Sequence, residues 1–461
     1  MGAYRSAGPP RLALAVASDR GADSNGSNPS LSRRAFLGGL AATSVSGCAT
    51  VGLGRPQLTF GPASFEVTSM SALVWLRTSG PARVQVELGR RAKLEDAVPA
   101  GPFEATAAAD YTVVTELQGL EPDTEYFYRG VMLDPDAAKP PARGGVGRFR
   151  TAPVTAKEFQ FAWSADMEAG HQPFRLFESV VRRRPDFFLH LGDMIYSDVP
   201  KDRFVASLAH YRFKHRENRD DRFLQRMLAD MPVTAIWDDH EVENDFNSTH
   251  DALALGRQAF REYWPVRTGD PRVLHRRFAW TPAAEFFVID CRSYRSPQST
   301  PEGPAKTMLG AAQKAWLRES LKSSRATFKF IVSSSPFLVS RGTDSWANYT
   351  TERRELLEFL RAELIRNVIV LSGDYHLAYD LSGPPGIDEF LAGPIAAWPH
   401  CTMRGNEGSR GALERTGRFF ICDEFNYGLV VVRPEASPPA IEVQFIDASD
   451  RVRHRRTITV S

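Results

Sequence analysis

Largely apolar runs that end in charged or hydroxyl-bearing residues recur along the chain after residue 157. The clearest is the run at residues 187–191, which is followed at once by Gly192-Asp193 and then by Tyr196. Such a short run is typical of a buried strand, and a glycine lets the backbone turn sharply where the strand ends. Asp193 is therefore predicted to project from the carboxyl edge of a sheet, where α/β proteins bind their ligands.

Three further segments repeat this pattern, at residues 159–166, 233–241 and 367–376. Each ends in side chains that commonly bind metal ions, namely Asp166, Asp239, Asp374 and His376. One Gly-Asp pair after a strand is usually only a turn with a solvated carboxylate. Four such strand ends in order, converging on one sheet edge, predict a metal site.

A different pattern occupies residues 58–152, where short runs of alternating apolar and polar residues are separated by Gly and Pro turns. This alternation is typical of an antiparallel β-sandwich. Residues 117–128 resemble the end of a fibronectin type III or immunoglobulin-like module, with Leu120, Tyr126 and Tyr128 as expected core residues. No residue here is arranged for catalysis, so we expect a structural role that also shapes one wall of the cleft between domains.

Strand-like and helix-like segments alternate over residues 157–461, which favours an α/β layered fold. Helices are predicted at residues 174–184 and 308–324 from their helical periodicity. Further strands are predicted at residues 286–290, 327–332, 427–433 and 440–446. With 461 residues, the chain is long enough for two folded domains.

The composition is that of an ordinary globular protein, with 43% hydrophobic and 24% charged residues. A net charge of +2 gives no basic field for nucleic acid, so no nucleic-acid-binding surface is expected. The four cysteines, Cys48, Cys291, Cys401 and Cys422, show neither metal-ligand spacing nor a disulfide framework. Cys401 and Cys422 could pair in an oxidising compartment or could be two buried thiols, and the sequence leaves both alternatives open.

The first 48 residues resemble a targeting segment. Residues 32–37, Ser-Arg-Arg-Ala-Phe-Leu, lead into an apolar, small-residue stretch from Ala35 to Val45, and the segment resembles a twin-arginine export signal. Residues 45–48 resemble a bacterial lipobox ending in Cys48, which would be acylated after cleavage. The twin-arginine translocase, a periplasmic or cell-surface location and a lipid anchor through Cys48 are expected on this basis, with residues 49–57 as a linker.

Four motifs occur in order along the chain, namely Asp166, Gly192-Asp193-x-x-Tyr196, Asp238-Asp-His-Glu241 and Gly373-Asp-x-His376. Together they resemble the PhoD-type alkaline phosphatases of the metallophosphoesterase superfamily, which are related to the purple acid phosphatases. The resemblance implies an N-terminal fibronectin III-like β-sandwich at residues 58–152. It also implies a catalytic α/β domain at residues 157–461, with a central β-sandwich flanked by helices. Two or more metal ions would be held at the sheet edge and would share Asp193.

Asp166, Tyr196 and His376 complete the first metal site in this interpretation. Phenolate and carboxylate oxygens with one imidazole suit a trivalent ion, so Fe(III) is expected. The alternative for Tyr196 is a tyrosine of the core.

The second metal site is expected to use oxygen donors only, namely Asp193, Asp239, Asn244 and Asp374. This set favours calcium, with zinc, manganese or magnesium as alternatives. Asp239 stands where many metallophosphoesterases have asparagine, and serines at residues 333–335 stand where many have a histidine. Glu168 is a further potential ligand, although a solvated loop carboxylate is the favoured interpretation.

His240 resembles the histidine that faces the leaving group in this family, and as an acid it could protonate the departing alkoxide. A histidine bonded to a backbone carbonyl is the structural alternative. The resemblance implies a phosphate ester substrate, attacked in line by a hydroxide that bridges the metals. One rival hypothesis is a phosphodiesterase or phospholipase D-like hydrolase, and another is a non-catalytic lipoprotein that binds phosphate ligands.

Overall fold

The computed structural model describes residues 55–136, 138–339, 344–383, 386–406 and 408–460. The predicted export signal, Cys48 and the first part of the predicted linker lie outside the described residues. Within those ranges, no helix is both long enough and apolar enough to cross a membrane.

The chain in these ranges forms strands and seven helices whose bounds are as follows. The strands are β1 (Leu58–Phe65), β2 (Ser71–Thr78), β3 (Ala82–Gly89), β4 (Val98–Ala105), β5 (Thr112–Gln118), β6 (Glu125–Met132), β7 (Ala142–Arg143), β8 (Gly147–Arg150), β9 (Phe159–Ser164), β10 (Phe187–Leu191), β11 (Val233–Ile236), β12 (Arg276–Thr281), β13 (Ala284–Ile289), β14 (Phe328–Ser333), β15 (Val368–Ser372), β16 (Ala378–Gly383), β17 (Ile387–Leu391), β18 (Phe419–Ile421), β19 (Asn426–Arg433), β20 (Ala440–Asp447) and β21 (Val452–Thr459). The helices are α1 (Leu176–Arg183), α2 (Leu208–Arg219), α3 (Arg222–Asp230), α4 (Leu253–Tyr263), α5 (Gly310–Ser323), α6 (Thr350–Ala362) and α7 (Arg410–Thr416).

A nine-stranded sheet runs in the order β21-β20-β19-β9-β10-β11-β1-β2-β5. At its centre β9, β10 and β11 are parallel, so their carboxyl ends lie at one edge. β1 joins this sheet beside β11, with Phe65 opposite Val233. Three strands from the predicted N-terminal sandwich therefore extend the sheet that carries the motif residues.

A seven-stranded sheet, in the order β12-β13-β14-β15-β17-β16-β18, faces the first. Phenylalanines fill the space between the two sheets. The ring of Phe161 on β9 stacks on Phe187 at 5.2 Å and meets the edge of Phe286 on β13 at 5.1 Å. Phe286 in turn stacks on Phe330 of β14 at 4.8 Å. Aromatic pairs of this kind stabilise a core by about 0.5–1.5 kcal/mol each beyond the area they bury.

The N-terminal region adds a five-stranded sheet, in the order β4-β3-β6-β7 with β8 paired to β6. Leu120, Tyr126 and Tyr128 are buried, as the alternation predicts. The hydroxyl of Tyr126 accepts a hydrogen bond from the Glu121 amide at 2.9 Å, so its polar end is satisfied at the corner before β6. The predicted fold class, an α/β protein with an N-terminal β-rich region, is confirmed. The division into domains near residue 153 stays a prediction.

The two predicted helices correspond to α1 and α5, each shorter than predicted by one to two residues at its ends. The helices α2, α3, α4, α6 and α7 were not predicted. Cys401 and Cys422 form a disulfide, which decides between the two alternatives that their spacing left open. Cys291 is buried and free.

Candidate metal centre

The predicted ligands meet at the edge where the carboxyl ends of both large sheets come together. Asp166 follows β9, Asp193 follows β10 and Asp239 follows β11, while Asp374 and His376 follow β15 of the opposite sheet. Ligand atoms of Asp166, Asp193 and His376 lie within 4.8 Å of one another. Atoms of Asp193, Asp239 and Asp374 also lie within 4.8 Å, in a group that includes Asp238. Asp193 belongs to both groups, as expected for a carboxylate shared by two cations.

Four of these residues have left-handed backbone conformations. The φ angles are 65° at Asp166, 54° at Asp193, 69° at Asp374 and 53° at His376. A non-glycine residue in this region is uncommon, and backbone strain of this kind costs on the order of 1–3 kcal/mol unless surrounding contacts hold it. Such strain concentrates at functional sites, where it aims side chains that a relaxed turn would direct elsewhere.

Glycine is required at the turn after β10. Gly192 has a φ of 102°, and a Cβ added to it would lie 2.4 Å from the Cβ of Asp238. Any side chain at this position would therefore push the loop after β11 away from Asp193.

Two of the site carboxylates have buried oxygens that lack hydrogen-bond partners among the described residues. Both carboxylate oxygens of Asp166 and one of Asp374 lack hydrogen-bond partners among the described residues. Burial, and then the charges of Asp239 and Glu241, raises the pKa of Asp193 well above its usual range. Buried carboxylates that repel one another are stabilised by taking up protons or by binding cations. The donor set therefore fits metal ions.

Tyr196 and His376 point their polar atoms at each other across this cluster. His376 Nδ1 lies 2.6 Å from the Trp398 carbonyl oxygen, which can only accept, so Nδ1 carries the proton and Nε2 is free to accept or to bind a cation. The Tyr196 hydroxyl lies 2.9 Å from that Nε2. Burial lowers the pKa of His376 to about 4. Burial, and then the charge of Asp193, raises the pKa of Tyr196, so only a cation could make it a phenolate.

The three acidic residues of the motif at residues 238–241 make different contacts. Asp238 pairs with buried Arg292 through two hydrogen bonds of 2.9 and 2.6 Å, although its carboxylate also lies within 4.8 Å of the candidate ligands in its group. Glu241 accepts from the amides of Met194 at 2.6 Å and Asp238 at 2.8 Å, and so ties the loop after β10 to the loop after β11. Asp239 is left to face the cavity. The chain sequence gave no indication of the Asp238–Arg292 pair, because the two residues are far apart in sequence.

His240 lies beside Asp239 with its ring held by a carboxylate. Its Nδ1 is 2.6 Å from Asp198 Oδ1, and Asp198 Oδ2 accepts from the Asn244 amide at 3.2 Å. Burial lowers the pKa of His240, but the charges of Asp239 and Asp198 outweigh it and raise the pKa to about 9. Asp198, five residues after Asp193, was not predicted as a site residue, although it stands in the most informative stretch of the sequence.

A cavity of about 350 Å³ opens over these groups. Its lining includes six predicted ligands together with His240 and two neighbouring acidic residues, namely Asp193, Tyr196, Asp239, His240, Asn244, Asp245, Asp344, Asp374 and His376, and it is completed by Val199, Tyr375, Trp398, His400, Met403 and Asn406. Asn244 is exposed, and its backbone amide donates to Asp198. The structure therefore places Asn244 at the rim of the cavity, and its predicted role as a ligand stays a prediction. Trp398 is 37% exposed and presents part of its indole ring to the opening.

The carboxylate of Glu168 is buried. The favoured interpretation of a solvated carboxylate is wrong, because Glu168 is 6% exposed and accepts a hydrogen bond from the Gly170 amide at 2.7 Å. Its carboxylate stabilises the turn after β9. Burial removes it from solvent, and the partner of that carboxylate is a backbone amide.

Comparison with known proteins agrees with this geometry. A family model described as PhoD-like phosphatase matches residues 159–435, and one described as PhoD-like phosphatase, N-terminal domain, matches residues 43–153. The chain belongs to the PhoD-like phosphatase family. The predicted family resemblance is thereby confirmed, and the motif residues of this PhoD-like chain all lie within the two matched regions.

Among curated proteins, the chain is similar to alkaline phosphatase D of Bacillus subtilis (strain 168). The two are 27% identical over 389 residues, which cover 70% of this PhoD-like chain but only 64% of that relative. Among solved structures, one titled "Structure of PhoD" has a TM-score of 0.73 at 23% identity, covering 88% of this chain and 90% of the other. Purple acid phosphatase PPD1 from yellow lupin (Lupinus luteus) seeds has a TM-score of 0.62 at 12% identity, covering 88% and 74%. These two likenesses concern the fold.

Proposed function

We propose that this chain is a metal-dependent phosphoesterase that hydrolyses phosphate esters. One observation carries the proposal: four potential ligands, Asp193, Asp239, Asp374 and His376, line one cavity, and the fully buried Asp166 lies beside them with both carboxylate oxygens lacking hydrogen-bond partners among the described residues. Family membership and the similarity to alkaline phosphatase D support the same activity. The non-catalytic lipoprotein is disfavoured, because a degenerate site would not need His240 poised beside the cluster.

Two or more cations would be held by residues already in position. Asp166, Tyr196 and His376 would hold the first, which we assign to Fe(III) on the basis of its phenol and carboxylate donors. Asp239 and Asp374, with Asn244 at the rim, would hold the second, which we assign to calcium, or to zinc, manganese or magnesium. Asp193 would be shared. When bound, such cations lower the pKa of water to supply hydroxide and neutralise charge on phosphoryl oxygens.

The protein's own groups then divide the remaining work. Asp198 accepts from His240 Nδ1, so Nε2 is directed away from Asp198 and can hold a proton for the leaving oxygen. Asp198 thus orients His240 and stabilises its protonated form. Arg292 pairs with Asp238 and Asp344 and lies 3.6 Å from Asp239, so its charge offsets part of the negative charge beside the cluster.

Export to the periplasm or cell surface is proposed on two grounds. The segment from residue 32 to 48 resembles a twin-arginine signal with a lipobox. The Cys401–Cys422 disulfide supports an oxidising compartment, because disulfides persist there and are rare in the cytosol. Recognition by the twin-arginine translocase and a lipid anchor through Cys48 belong to the same proposal.

The activity is tested by comparing 4-nitrophenyl phosphate with bis(4-nitrophenyl) phosphate, using purified protein supplied with iron and calcium. Hydrolysis of the monoester is the expected result. Faster hydrolysis of the diester would favour the phosphodiesterase or phospholipase D-like alternative. If neither ester turned over under any metal supplement while phosphate still bound, the non-catalytic hypothesis would replace the proposal.

A further inference from the structure

One face of α2 donates hydrogen bonds to the loops that carry the candidate ligands. Residues four apart on a helix share a face, and here the donors fall at positions 210, 211, 214 and 218. The bonds run from His210 Nε2 to Ser197 O (2.7 Å), from Tyr211 Oη to Val242 O (3.2 Å), from Lys214 Nζ to Val199 O (3.0 Å), and from Asn218 Nδ2 to Met167 O (2.8 Å) and Met194 O (2.7 Å). Every acceptor is a backbone carbonyl within six residues of a candidate ligand or of His240.

Asn218 makes the most informative of these contacts. Its single amide group donates to two carbonyls, and each carbonyl belongs to the residue directly after a candidate ligand, Asp166 or Asp193. Asn218 is 3% exposed, so water does not substitute for either bond. The side chain therefore joins the loop after β9 to the loop after β10 at the point where both present a carboxylate to the cluster.

The two loops also contact each other directly. The amide of Met167 donates to the Asp193 carbonyl at 2.8 Å, and the amide of Asp166 donates to the Gly192 carbonyl at 3.3 Å. Two backbone bonds and the Asn218 side-chain amide therefore link the same two loops. The left-handed conformations at Asp166 and Asp193 need such support, because a free turn would relax out of them.

The end of α2 that carries Asn218 is itself fixed. The guanidinium of Arg219 lies 4.6 Å from the ring of Trp75 and 4.2 Å from the ring of Trp264, and it also donates to the Tyr263 carbonyl. Cation–π contacts are stronger when they are removed from water. Because Trp75 lies on β2 and Tyr263 ends α4, the helix is anchored to elements remote from the ligand loops and can serve as a fixed reference for them.

We propose that Asn218 is a positioning residue that sets the separation of Asp166 and Asp193 and thereby the affinity of the site for cations. The inference rests on the proposed function in assigning those two aspartates as metal ligands. Loss of the amide leaves two buried carbonyls unpaired and allows the loops to part. Groups that support metal ligands from behind typically change metal affinity by about 10- to 100-fold when replaced.

Gln160 offers a matched control. Its side-chain amide also donates to two backbone carbonyls, those of Arg183 at 2.8 Å and Arg184 at 3.1 Å. Gln160 stands near the start of β9, whereas Asp166 follows the end of that strand. Gln160→Ala therefore removes the same kind of contact without touching the ligand loops.

The experiment is a titration of chelator-treated full-length protein with Mn²⁺, followed by the loss of the free Mn²⁺ signal in electron paramagnetic resonance. Asn218→Ala is expected to raise the dissociation constant of the tightest site by about 10- to 100-fold, and Gln160→Ala to leave it within about threefold. Asn218→Ser, which keeps one donor, should fall between wild type and Asn218→Ala, and it is measured alone if Asn218→Ala does not fold.

Asp193→Ala separates the two ways in which the titration could fail. If Asp193→Ala binds Mn²⁺ as tightly as wild type, the proposed ligand set is wrong, and the proposed function loses its main support. If Asp193→Ala abolishes binding but the Asn218 variants match Gln160→Ala, the ligand set stands and the positioning role is overturned. Tightened binding in Asn218→Ser would also overturn it.

Discussion

Replacement of His240 by alanine gives a sharp test of the catalytic arrangement. His240 is held by Asp198 at 2.6 Å, and the charges of Asp239 and Asp198 raise its pKa to about 9 in the metal-free protein, which favours the protonated imidazole. A protonated imidazole facing the cavity can give that proton to a departing oxygen. The rate gained from this proton transfer increases with the basicity of the leaving oxygen.

The size of the effect follows from this dependence. General acid catalysis contributes about 10²- to 10⁴-fold, or about 3 to 5 kcal/mol of barrier at 1.36 kcal/mol per factor of ten. An alkyl phosphate, which releases a strongly basic alkoxide, should lose this whole factor in His240→Ala. 4-Nitrophenyl phosphate releases a stable phenolate without needing a proton, so its rate should fall by less than about tenfold.

The assay compares kcat/KM for an alkyl phosphate and for 4-nitrophenyl phosphate in wild type and His240→Ala. His250 supplies a matched control, because its Nε2 also contacts a carboxylate, Glu243 at 3.1 Å, yet its side chain is not among the groups that line the cavity. His250→Ala should leave the ratio of the two rates unchanged. Equal losses for both esters in His240→Ala would refute the acid role and reassign His240 to metal binding or to structure.

Three other predictions concern the same site. Asp198→Asn should lower the pKa of His240 and shift the alkaline limb of the pH–rate profile for the alkyl ester to lower pH; an unmoved limb would contradict the orienting role. If Fe(III) fills the first site, the protein should be coloured by phenolate-to-iron charge transfer and Tyr196→Phe should be colourless, as a visible spectrum would show; colour that survives would return Tyr196 to the core. Metal-stripped protein should lose stability as pH rises from about 6.5 to 9, because His240, with its folded pKa of about 9, keeps a proton that the unfolded chain releases. The raised pKa of Asp193 also lowers the free energy of unfolding as pH rises, and the loss from His240 alone is on the order of 3 kcal/mol. Urea unfolding measures this free energy at each pH. A metal-loaded sample whose stability fell with the same slope would contradict the prediction.

The strands and ligands were predictable because their signals are local. An apolar run followed by Gly192-Asp193 specifies a strand, a turn and a carboxylate within seven residues, and three similar segments specify the rest of the sheet edge. The parallel order of β9, β10 and β11 then brings Asp166, Asp193 and Asp239 together without further information.

The supporting contacts could not be predicted because they join residues remote in sequence. The pairing of Asp238 with Arg292 spans 54 positions, and that of Asn218 with Met167 spans 51. Helix α2 has a polar, weakly periodic sequence, since the face that it turns inward carries donors for carbonyls in place of apolar side chains. Glu168 was misjudged although its bond to the Gly170 amide is local, because the burial of its side chain could not be predicted from the sequence around it.

The most direct test of a shared two-metal site is the metal content and rate of Asp193→Asn. Asp193 is the one residue common to both ligand groups at the strand ends, and a carboxamide cannot supply two anionic oxygens to two cations. Elemental analysis of wild type should show at least two metal ions per chain, one of them iron. In Asp193→Asn the metal content should fall and the rate should drop by at least about 1,000-fold. A variant that kept its metals and more than about a tenth of the wild-type rate would contradict the account.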